Sequence, residues 1–371
     1  MMIRSLIMVC AAVLSLAMAG PGGESFHVAM VVDTEPPVAG FIHTRRLVSV
    51  TQSDHKNIAD LNSKLLVGGD RSTLSFLELA DTNMPTDWRL LTLDRASSTL
   101  LADTLLHNVT PAPRIQTVEC LMAVESNQTK VYFPTIDFKG HRFGFAGADW
   151  NTGEVQVRTP YEGMGNVSEF IPLPKGFAIR FSDSSKPFPQ PTVALFDAMG
   201  QGMRLVPLAE KYSDSSKISQ LIFLPTVGLV EYRNGDLFRL TGALLSTNST
   251  GPERVVAPNL PDLHVNSTIF ARIYEGKPCL FWGEDNVAAQ PEFGFNSEIV
   301  VFDWNSKRVL LRKSLGTSAA TFQPVDDGSR IYFLDPQNGK TMLLEVAAQK
   351  ITTFSDEPVR HPDHAVIVDA Y

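Results

Sequence analysis

Apolar residues occur in short runs along this chain, and the spacing of these runs predicts strands rather than helices. The runs are rich in Val, Ile, Leu, Phe and Tyr, and they end at clusters of Asp, Asn, Gly, Ser and Pro. Several are apolar at nearly every position, such as Thr192 to Phe196 and Glu298 to Phe302. A strand that is apolar on both faces belongs to a sheet that is covered on both sides. We therefore expect an all-β protein whose sheets pack face to face.

A hairpin of constant form recurs along the chain: an apolar strand, a polar turn led in most cases by Asp, and a second apolar strand. The turns are centred near Asp94, Asp149, Asp197, Thr247, Asp303 and Ala347, so that successive centres lie 44 to 56 residues apart. A repeat of about this length that contains four strands is typical of a propeller blade. The sequence therefore predicts a single β-propeller with seven four-stranded blades, six or eight blades being the alternatives.

The two ends of the chain are left over when the blades are counted. The second blade occupies roughly Asn57 to Leu106, about three strands precede it between Phe26 and Thr51, and one strand, His364 to Tyr371, follows the seventh blade. Neither remnant makes a blade alone. We expect the N-terminal strands to pair with the C-terminal strand, placed innermost, because that closure leaves no open sheet edge within the ring.

One blade carries a resemblance to a known family. Ile331 to Phe354 resembles a blade of the YVTN family, with an aromatic strand, an Asn/Gly turn, an apolar strand, a short turn and an apolar strand. The Tyr-Val-Thr-Asn core is replaced by Tyr332-Phe333-Leu334-Asp335. That family is similar to the propeller heavy chains of bacterial amine dehydrogenases and to seven-bladed lactonases. The resemblance implies a propeller, and it brings in a lactonase-type hydrolase or a non-catalytic redox subunit as expectations for function.

The first residues have the pattern of a secretory signal peptide. Arg4 supplies a positive charge, Leu6 to Leu16 form a short apolar core, and Ala17-Met18-Ala19 matches the small-x-small cleavage pattern. The apolar run is too short to cross a bilayer, although an uncleaved N-terminal anchor is the alternative. We expect a signal peptide over residues 1–19 and a propeller domain over 20–371, secreted to the extracellular space or to a bacterial periplasm.

A secretory compartment determines how the cysteines and the glycosylation sequons are interpreted. The mature chain keeps Cys120 and Cys279, which the blade assignment places across the ring, farther apart than a disulfide can span, so we predict two buried free thiols. Five Asn-x-Ser/Thr sequons would be glycosylation sites if the source is eukaryotic. They begin at Asn108, Asn127, Asn166, Asn248 and Asn266.

Composition excludes some classes of partner. The 371-residue chain is 44% hydrophobic and carries a formal net charge of -8, without a basic stripe, which argues against a nucleic-acid partner. No later segment approaches transmembrane length, and we expect a monomer.

Catalytic motifs are missing from the sequence. It has no Gly-x-Ser-x-Gly elbow, no phosphate-binding glycine loop, no His-Glu-x-x-His and no Cys-x-x-Cys. Propellers bind ligands where the loops that enter the inner strands and join the middle strands converge. The corresponding loops are Pro134 to Arg142, Asp183 to Pro191, Gly283 to Phe295 and Asp356 to His364. Candidate catalytic residues are Asp137, His141, Arg142, His264, Glu284 and Asp285.

A metal hypothesis rests on the last of these loops. His361 and His364 flank Asp363, and imidazole and carboxylate groups are metal ligands; a solvated turn is the alternative, and no other cofactor is evident. The stretch Asp81 to Asp87 lacks the glycine and the glutamate of a calcium loop. The Asp-led turns are interpreted as hairpin chemistry, because Asp accepts backbone hydrogen bonds there.

Three functions remain at this stage. The first is a secreted, non-enzymatic propeller that binds or scaffolds a protein, a glycan or a cell-surface partner. The second is a hydrolase of lactonase type with a divalent metal in the channel, and the third is a non-catalytic subunit of a redox complex. An enzyme should gather the candidate residues around one concave pocket, whereas a binding module should expose an apolar patch on one face.

Overall fold

Strands make up almost all of the regular structure. The structure, a computed structural model, describes residues 27–34, 45–61, 65–69, 72–81, 84–111, 122–123, 129–137, 142–158, 164–173, 176–183, 190–197, 199–201, 204–208, 219–233, 236–240, 253–255, 268–284, 296–319, 321–362 and 365–371. These residues form twenty-eight strands, paired antiparallel in seven four-stranded sheets that we number 1 to 7 along the chain. Among them there is no helix that is long and apolar enough to cross a membrane.

The first four sheets take up the first half of the chain. Sheet 1 contains β1 (Val28–Asp33), β2 (Arg45–Val50), β3 (His55–Leu61) and the last strand, β28 (Val366–Ala370). Sheet 2 contains β4 (Leu65–Gly69), β5 (Thr73–Asp81), β6 (Met84–Asp94) and β7 (Thr99–Leu106). Sheet 3 contains β8 (Met122–Ala123), β9 (Lys130–Asp137), β10 (Arg142–Asp149) and β11 (Val155–Arg158). Sheet 4 contains β12 (Met164–Leu173), β13 (Gly176–Asp183), β14 (Gln190–Asp197) and β15 (Arg204–Pro207).

Three further sheets follow in the same order. Sheet 5 contains β16 (Ser219–Leu224), β17 (Gly228–Arg233), β18 (Asp236–Arg239) and β19 (Glu253–Val255). Sheet 6 contains β20 (Phe270–Tyr274), β21 (Lys277–Glu284), β22 (Asn296–Asp303) and β23 (Arg308–Ala319). Sheet 7 contains β24 (Phe322–Pro324), β25 (Arg330–Leu334), β26 (Thr341–Glu345) and β27 (Lys350–Ser355).

Each of sheets 2 to 7 begins at an inner strand, and the chain then moves outward strand by strand. The inner strands of successive sheets contact one another, as β12 does with both β8 and β16, and β24 with β28. Side chains reinforce these contacts: the backbone N–H of Leu221 donates to the carboxylate of Glu169, 3.0 Å away, and the N–H of Ile367 donates to Thr321 Oγ1 at 3.1 Å. The inner strands therefore surround a common centre.

Apolar clusters fill the space between the sheets. Seven buried clusters are present in the described residues, and each one joins two consecutive sheets, including sheet 7 to sheet 1. The cluster between sheets 7 and 1 contains Val28 and Met30 from β1, Tyr332 from β25 and Ile367 from β28. A chain of sheets that each pack on the next and return to the first is a closed ring. The prediction of an all-β, single β-propeller is confirmed.

The last strand closes the ring by pairing with the first. β28 is the inner strand of sheet 1 and pairs with β1, with Val28 opposite Ala370 and Val31 opposite Val366. Two backbone hydrogen bonds between His27 and Tyr371 extend the pairing beyond the strand. The predicted closure of N-terminal strands on an innermost C-terminal strand is confirmed.

The boundary between the first and second sheets differs from the prediction. The third N-terminal strand is β3, His55–Leu61, which lies beyond Thr51 and inside the segment assigned to the second blade, so that sheet 2 begins at Leu65 instead of near Asn57. β3 is an outermost strand with the sequence HKNIADL, and most of its side chains contact solvent. A strand with one face in solvent has no continuous apolar run, so a search for apolar runs does not identify it.

The Asp-led turns are structural, as predicted. Asp149 Oδ1 accepts the backbone N–H groups of Asn151 and Thr152 at 2.9 Å each, and Asp197 Oδ1 accepts those of Met199 and Gln201. The carboxylate replaces backbone acceptors that the turn cannot supply, which fixes the hairpin geometry.

Candidate functional site

Acidic residues recur at one end of the ring. Five of the seven second strands end in a carboxylate residue, and the chain then turns into the third strand. These residues are Asp33, Asp81, Asp137, Asp183 and Glu284. Because the sheets share one strand order, these positions lie at the same end of the propeller. Two of the predicted candidates, Asp137 and Glu284, belong to this set. The set lies at the end of the propeller where ligand-binding loops were expected.

Glu284 is held in an ion-pair network within sheet 6. Its side chain is 8% exposed, accepts the indole N–H of Trp282 at 2.8 Å, and contacts Arg312 on β23. Arg312 also contacts Glu298, 3.2 Å away on β22. Burial opposes the charge on Arg312, but the hydrogen bonds to Glu284 outweigh it and raise the pKa of the guanidinium. Glu284 is thus held in place by Trp282 and Arg312 within its own sheet.

Other buried carboxylates of the described residues are also paired with arginines, whereas Asp303 accepts hydrogen bonds from groups of its own turn. Asp33 is 2% exposed and lies 3.0 Å from Arg45, its cross-strand partner. Arg180 lies between Glu169, at 3.3 Å, and Glu231, at 3.2 Å. Removing a carboxylate from water is costly unless a partner compensates its charge, and here arginines supply that compensation. These pairs stabilise the blades.

A serine, a histidine and a glutamate meet at the outer rim between sheets 7 and 1. His55 Nε2 lies 3.0 Å from Ser355 Oγ, and His55 Nδ1 lies 3.9 Å from Glu357 Oε1. The order of groups is that of a nucleophile, a base and an orienting acid. Ser355 is only 1% exposed, however, so a substrate carbonyl cannot approach its hydroxyl. We interpret the three residues as a structural contact between sheets 7 and 1. Sequence analysis missed them because His55 and Ser355 lie 300 positions apart.

Only some of the remaining candidate residues lie in the part of the chain that the structure describes. Asp137 ends β9 directly opposite Arg142, the first residue of β10, so the register brings these two positions together. His361 is half-buried and has a φ of 49°. His141, His264, Asp285, Asp363 and His364 lie outside the described residues. No group of three or more His, Cys, Asp and Glu side chains that could hold a metal ion occurs in the described segments.

Cys279 is free and buried on β21, in agreement with the prediction, while Cys120 lies outside the described residues. Burial raises the pKa of the Cys279 thiol to about 11, so it is protonated at neutral pH. A protonated, inaccessible thiol is neither a nucleophile nor a metal ligand.

One strand exposes an apolar surface. β7 is the outermost strand of sheet 2, and among the described strands it pairs with β6; Thr104 Oγ1 on β7 also donates to the carbonyl of Trp150 in sheet 3. Leu100, Leu101 and Leu105 on this strand are 42%, 48% and 48% exposed. A bulge opposite Thr92 and Leu93 places Leu100 and Leu101 side by side. We call these residues, together with Asp103, the β7 edge.

The β7 edge carries one charge. Asp103 lies between Leu101 and Leu105 on the same face, since alternate residues of a strand share a face. Both of its oxygens accept hydrogen bonds from Arg89 at 2.7 Å, and this pairing lowers the pKa of Asp103. Its side chain is nevertheless 43% exposed. The surface is therefore apolar at both ends, with a carboxylate that is paired with an arginine at its centre.

Comparison with known proteins identifies the fold. No family model and no curated protein matches this sequence. Among solved structures, the chain is similar to a candidate 6-phosphogluconolactonase from Bacteroides fragilis, with a TM-score of 0.53 and 11% identity over 93% of this chain and 99% of that one. A second, from Bacteroides uniformis, gives a TM-score of 0.52 and 12% identity over 91% and 98% of the two chains.

A third similar structure comes from a study of prolyl endopeptidases, with a TM-score of 0.50 and 11% identity over 95% of this chain and 54% of that one. At such identities the likeness concerns architecture alone. Together with the closed ring of sheets, it places the chain among the β-propeller proteins.

Proposed function

We propose that the chain is a secreted, non-catalytic β-propeller that binds an extended segment of a partner protein along the β7 edge. The observation that carries this proposal is the exposure of three leucines on one outermost strand. Single exposed leucines are ordinary on protein surfaces, but three within six residues of one strand form a patch of the kind that marks interaction sites.

The position of the strand suggests how a partner binds. An outermost strand presents unpaired backbone N–H and C=O groups, and an extended peptide can pair with them as an additional strand. The leucine side chains would then supply the apolar contacts, and the backbone the hydrogen bonds.

Charge favours a basic, apolar segment over a second copy of this chain. Two β7 strands paired about Asp103 would place that carboxylate opposite its own copy, and like charges directly opposite one another are destabilising. The net charge of -8 adds to the repulsion between copies. A partner strand with a basic residue between two apolar residues complements Leu101, Asp103 and Leu105.

The buried carboxylates support the non-catalytic part of the proposal. Asp33, Glu169 and Glu284 are each committed to an arginine. We interpret these ion pairs as structural contacts within and between the blades. Secretion is a separate part of the proposal; N-terminal sequencing of the exported protein should find Gly20 as the first residue.

A direct binding measurement tests the docking proposal. The probe is a fluorescent, end-capped peptide with the sequence Thr-Leu-Thr-Arg-Thr-Leu-Thr, and its counterpart with Glu in place of Arg is the peptide control. We expect saturable binding of the first peptide, and binding weaker by about tenfold or more for the second.

Protein variants then locate the site. Leu101→Gln with Leu105→Gln should weaken binding by about tenfold or more, whereas Leu310→Gln, at a leucine 37% exposed on the outer strand of sheet 6, should leave it unchanged. Absence of binding, or equal binding by all three proteins, contradicts the proposal. Concentration-dependent dimerisation abolished by the double substitution would instead identify a second copy as the occupant.

A lactonase-type hydrolase is the second candidate. The recurrence of acidic residues at the ends of five second strands favours it, because carboxylates are ligands for divalent metals. The similar structures that carry a 6-phosphogluconolactonase name add a reason to test it. Hydrolysis of 6-phosphogluconolactone that is lost on chelation and reduced in Asp137→Asn would support it, and no turnover with added Mg²⁺, Ca²⁺ or Zn²⁺ would exclude it.

A further inference from the structure

The sequon closest to the β7 edge is presented on an exposed turn. Asn108 follows β7 by two residues, is exposed, and has a φ of 57°. Of the other four predicted sequons, Asn166 lies within β12, the inner strand of sheet 4, and Asn127, Asn248 and Asn266 lie outside the described residues.

The turn is fixed on the C-terminal side of Asn108. Val109 is 1% exposed and belongs to the apolar cluster between sheets 2 and 3, and its N–H donates to the carbonyl of Thr86 at 3.1 Å. The carbonyl of Thr110 accepts the N–H of Ile136 at 3.0 Å. Because Val109 is buried, and Val109 and Thr110 are hydrogen-bonded to sheets 2 and 3, the Asn108 side chain is held outside the ring.

Asn108 and Asn166 differ in what a glycan would do to the fold. At Asn108 a glycan can extend into solvent between the outer parts of sheets 2 and 3. At Asn166 it would be attached to an inner strand that contacts the inner strands of both neighbouring sheets. A bulky group there would compete with closure of the ring.

The distance from Asn108 to the β7 edge is short. Asn108 is three positions after Leu105, so their Cα atoms lie at most about 11 Å apart, even with an extended chain. An N-linked glycan is bulky and hydrated, and one attached at this distance occupies the space in which a partner strand would approach the end of β7.

We propose that Asn108 is an N-glycosylation site, and that its glycan restricts access to the β7 edge. The regulatory half of this proposal rests on the proposed docking function, whereas the modification itself does not. The reaction uses a lipid-pyrophosphate oligosaccharide of a eukaryotic secretory pathway as donor. The amide nitrogen of Asn108 forms a bond to C1 of the first sugar, the C1–O bond breaks, the lipid pyrophosphate leaves, and the amide loses one proton; no electrons are transferred.

Occupancy is measured first. The full mature chain, secreted from a eukaryotic host behind a host leader, is digested and analysed by mass spectrometry before and after treatment with an endoglycosidase. We expect a glycan on the peptide that contains Asn108, absent in Asn108→Gln and in Thr110→Val, and no glycan on the peptide that contains Asn166. An unmodified Asn108 overturns the proposal.

Access is measured next, with the same Thr-Leu-Thr-Arg-Thr-Leu-Thr probe. We expect the glycosylated protein to bind it at least tenfold more weakly than Asn108→Gln, Thr110→Val and the endoglycosidase-treated wild type, all three of which lack the full glycan. Agreement among the three separates the effect of the sugar from that of either substitution.

The outcomes distinguish the two proposals. Equal binding by the glycosylated and unglycosylated proteins overturns the restriction of access and leaves docking intact. If neither form binds the probe, the docking function fails, and the regulatory half of this proposal fails with it, whereas glycosylation of Asn108 is decided by the mass measurement alone.

Discussion

The interface between sheets 3 and 4 and the interface between sheets 7 and 1 are built from different interactions. Between sheets 3 and 4, aromatic rings dominate: Phe177 contacts Tyr132, Phe145, Phe170 and Phe196, with ring centroids 4.8 to 5.1 Å apart. Their contribution comes from burial and from offset or edge contacts, and it does not depend on any single directional bond.

Between sheets 7 and 1, polar side chains accompany the apolar cluster. Arg95, from the β6–β7 turn of sheet 2, donates two hydrogen bonds of 2.6 Å to Asp369 on β28 of sheet 1 and reaches Asp326 of sheet 7 at 2.9 Å, so that it bridges these two sheets. At the outer rim, His55 contacts Ser355. We call the group of Arg95, Asp369 and Asp326 the closure cluster.

The difference follows from the path of the chain. Sheets 3 and 4 are consecutive in sequence, so only a short stretch of chain has to close to bring them together. Aromatic rings of roughly the right size are then enough to pack the interface. β28 reaches sheet 1 from the far end of the chain, and a strand in an apolar site can slip along its partner. Bidentate hydrogen bonds from one arginine give that strand a definite position.

The largest effect is expected at the aromatic interface. Phe177→Ala removes a ring that is fully buried among four others and should lower the free energy of unfolding by about 4 kcal/mol. Urea denaturation of the purified protein measures it, with Ile179→Val, expected to cost about 1 kcal/mol, as the matched control. A loss below about 1 kcal/mol for Phe177→Ala would show that this interface collapses around the cavity and is not close-packed.

The closure cluster should show the next largest effect, confined to one strand. Arg95→Met leaves Asp369, which is 6% exposed, without its charge partner and should cost about 3 kcal/mol. Hydrogen exchange should show that amides of β28 lose protection while those of β13 keep theirs. Arg95→Met with Asp369→Asn removes both charges and should recover much of the loss; uniform loss of protection across both strands would contradict a local role for the cluster.

A smaller effect is expected from the turn that carries Arg95. Asp94 accepts hydrogen bonds from the hydroxyl and the N–H of Ser97, and these lower the pKa of its carboxyl group. A carboxyl group whose pKa is lower in the folded protein stabilises the fold above its unfolded pKa of about 3.9, and this contribution is lost as the pH falls through the folded value. Asp94→Asn should cost about 1 kcal/mol at neutral pH.

The pH dependence provides the control for that prediction. The difference in unfolding free energy between wild type and Asp94→Asn should shrink as the pH is lowered from about 5 to about 2, because the wild-type carboxylate becomes protonated. A difference that stays constant over this range would mean that the charge of Asp94 contributes nothing to the turn.

The smallest effect on stability is expected at the β7 edge. Leu105 is half exposed, so Leu105→Gln should change the unfolding free energy by no more than about 0.5 kcal/mol. The same urea measurement tests it, with buried Leu106→Ala, expected to cost about 3 kcal/mol, as its neighbour and contrast. A large loss for Leu105→Gln would place this side chain in the core and remove the basis for the docking proposal.

The sequence predicted the parts of the fold that depend on local patterns. Strands such as β13, Gly176–Asp183, and β27, Lys350–Ser355, are runs bordered by turn residues, which is the pattern that predicts strands. The Asp-led hairpins and the terminal closure followed from the same repeat. β3 was missed because its outer position leaves most of its side chains in water.

The polar contacts between distant segments could not be predicted. Arg95 and Asp369 are 274 positions apart, and nothing in the residues around either one indicates the other. The β7 edge also escaped sequence analysis, since LLTLDRASSTLL describes a regular hairpin and does not show which of its two strands lies outermost. Exposure depends on strand order, which the pattern of one hairpin does not contain.

Placing β28 innermost in sheet 1 also has a consequence for biosynthesis. On the ribosome, β1, β2 and β3 emerge before any other strand, yet the strand that covers the inner side of β1 is made after the remaining twenty-four. For most of translation the nascent chain therefore presents the apolar residues of β1, among them Val28 and Met30, with a hydrogen-bonding edge that has no native partner. That interval is when a chaperone would be needed, and a chain released just short of Val366 would keep the same edge permanently available for aggregation.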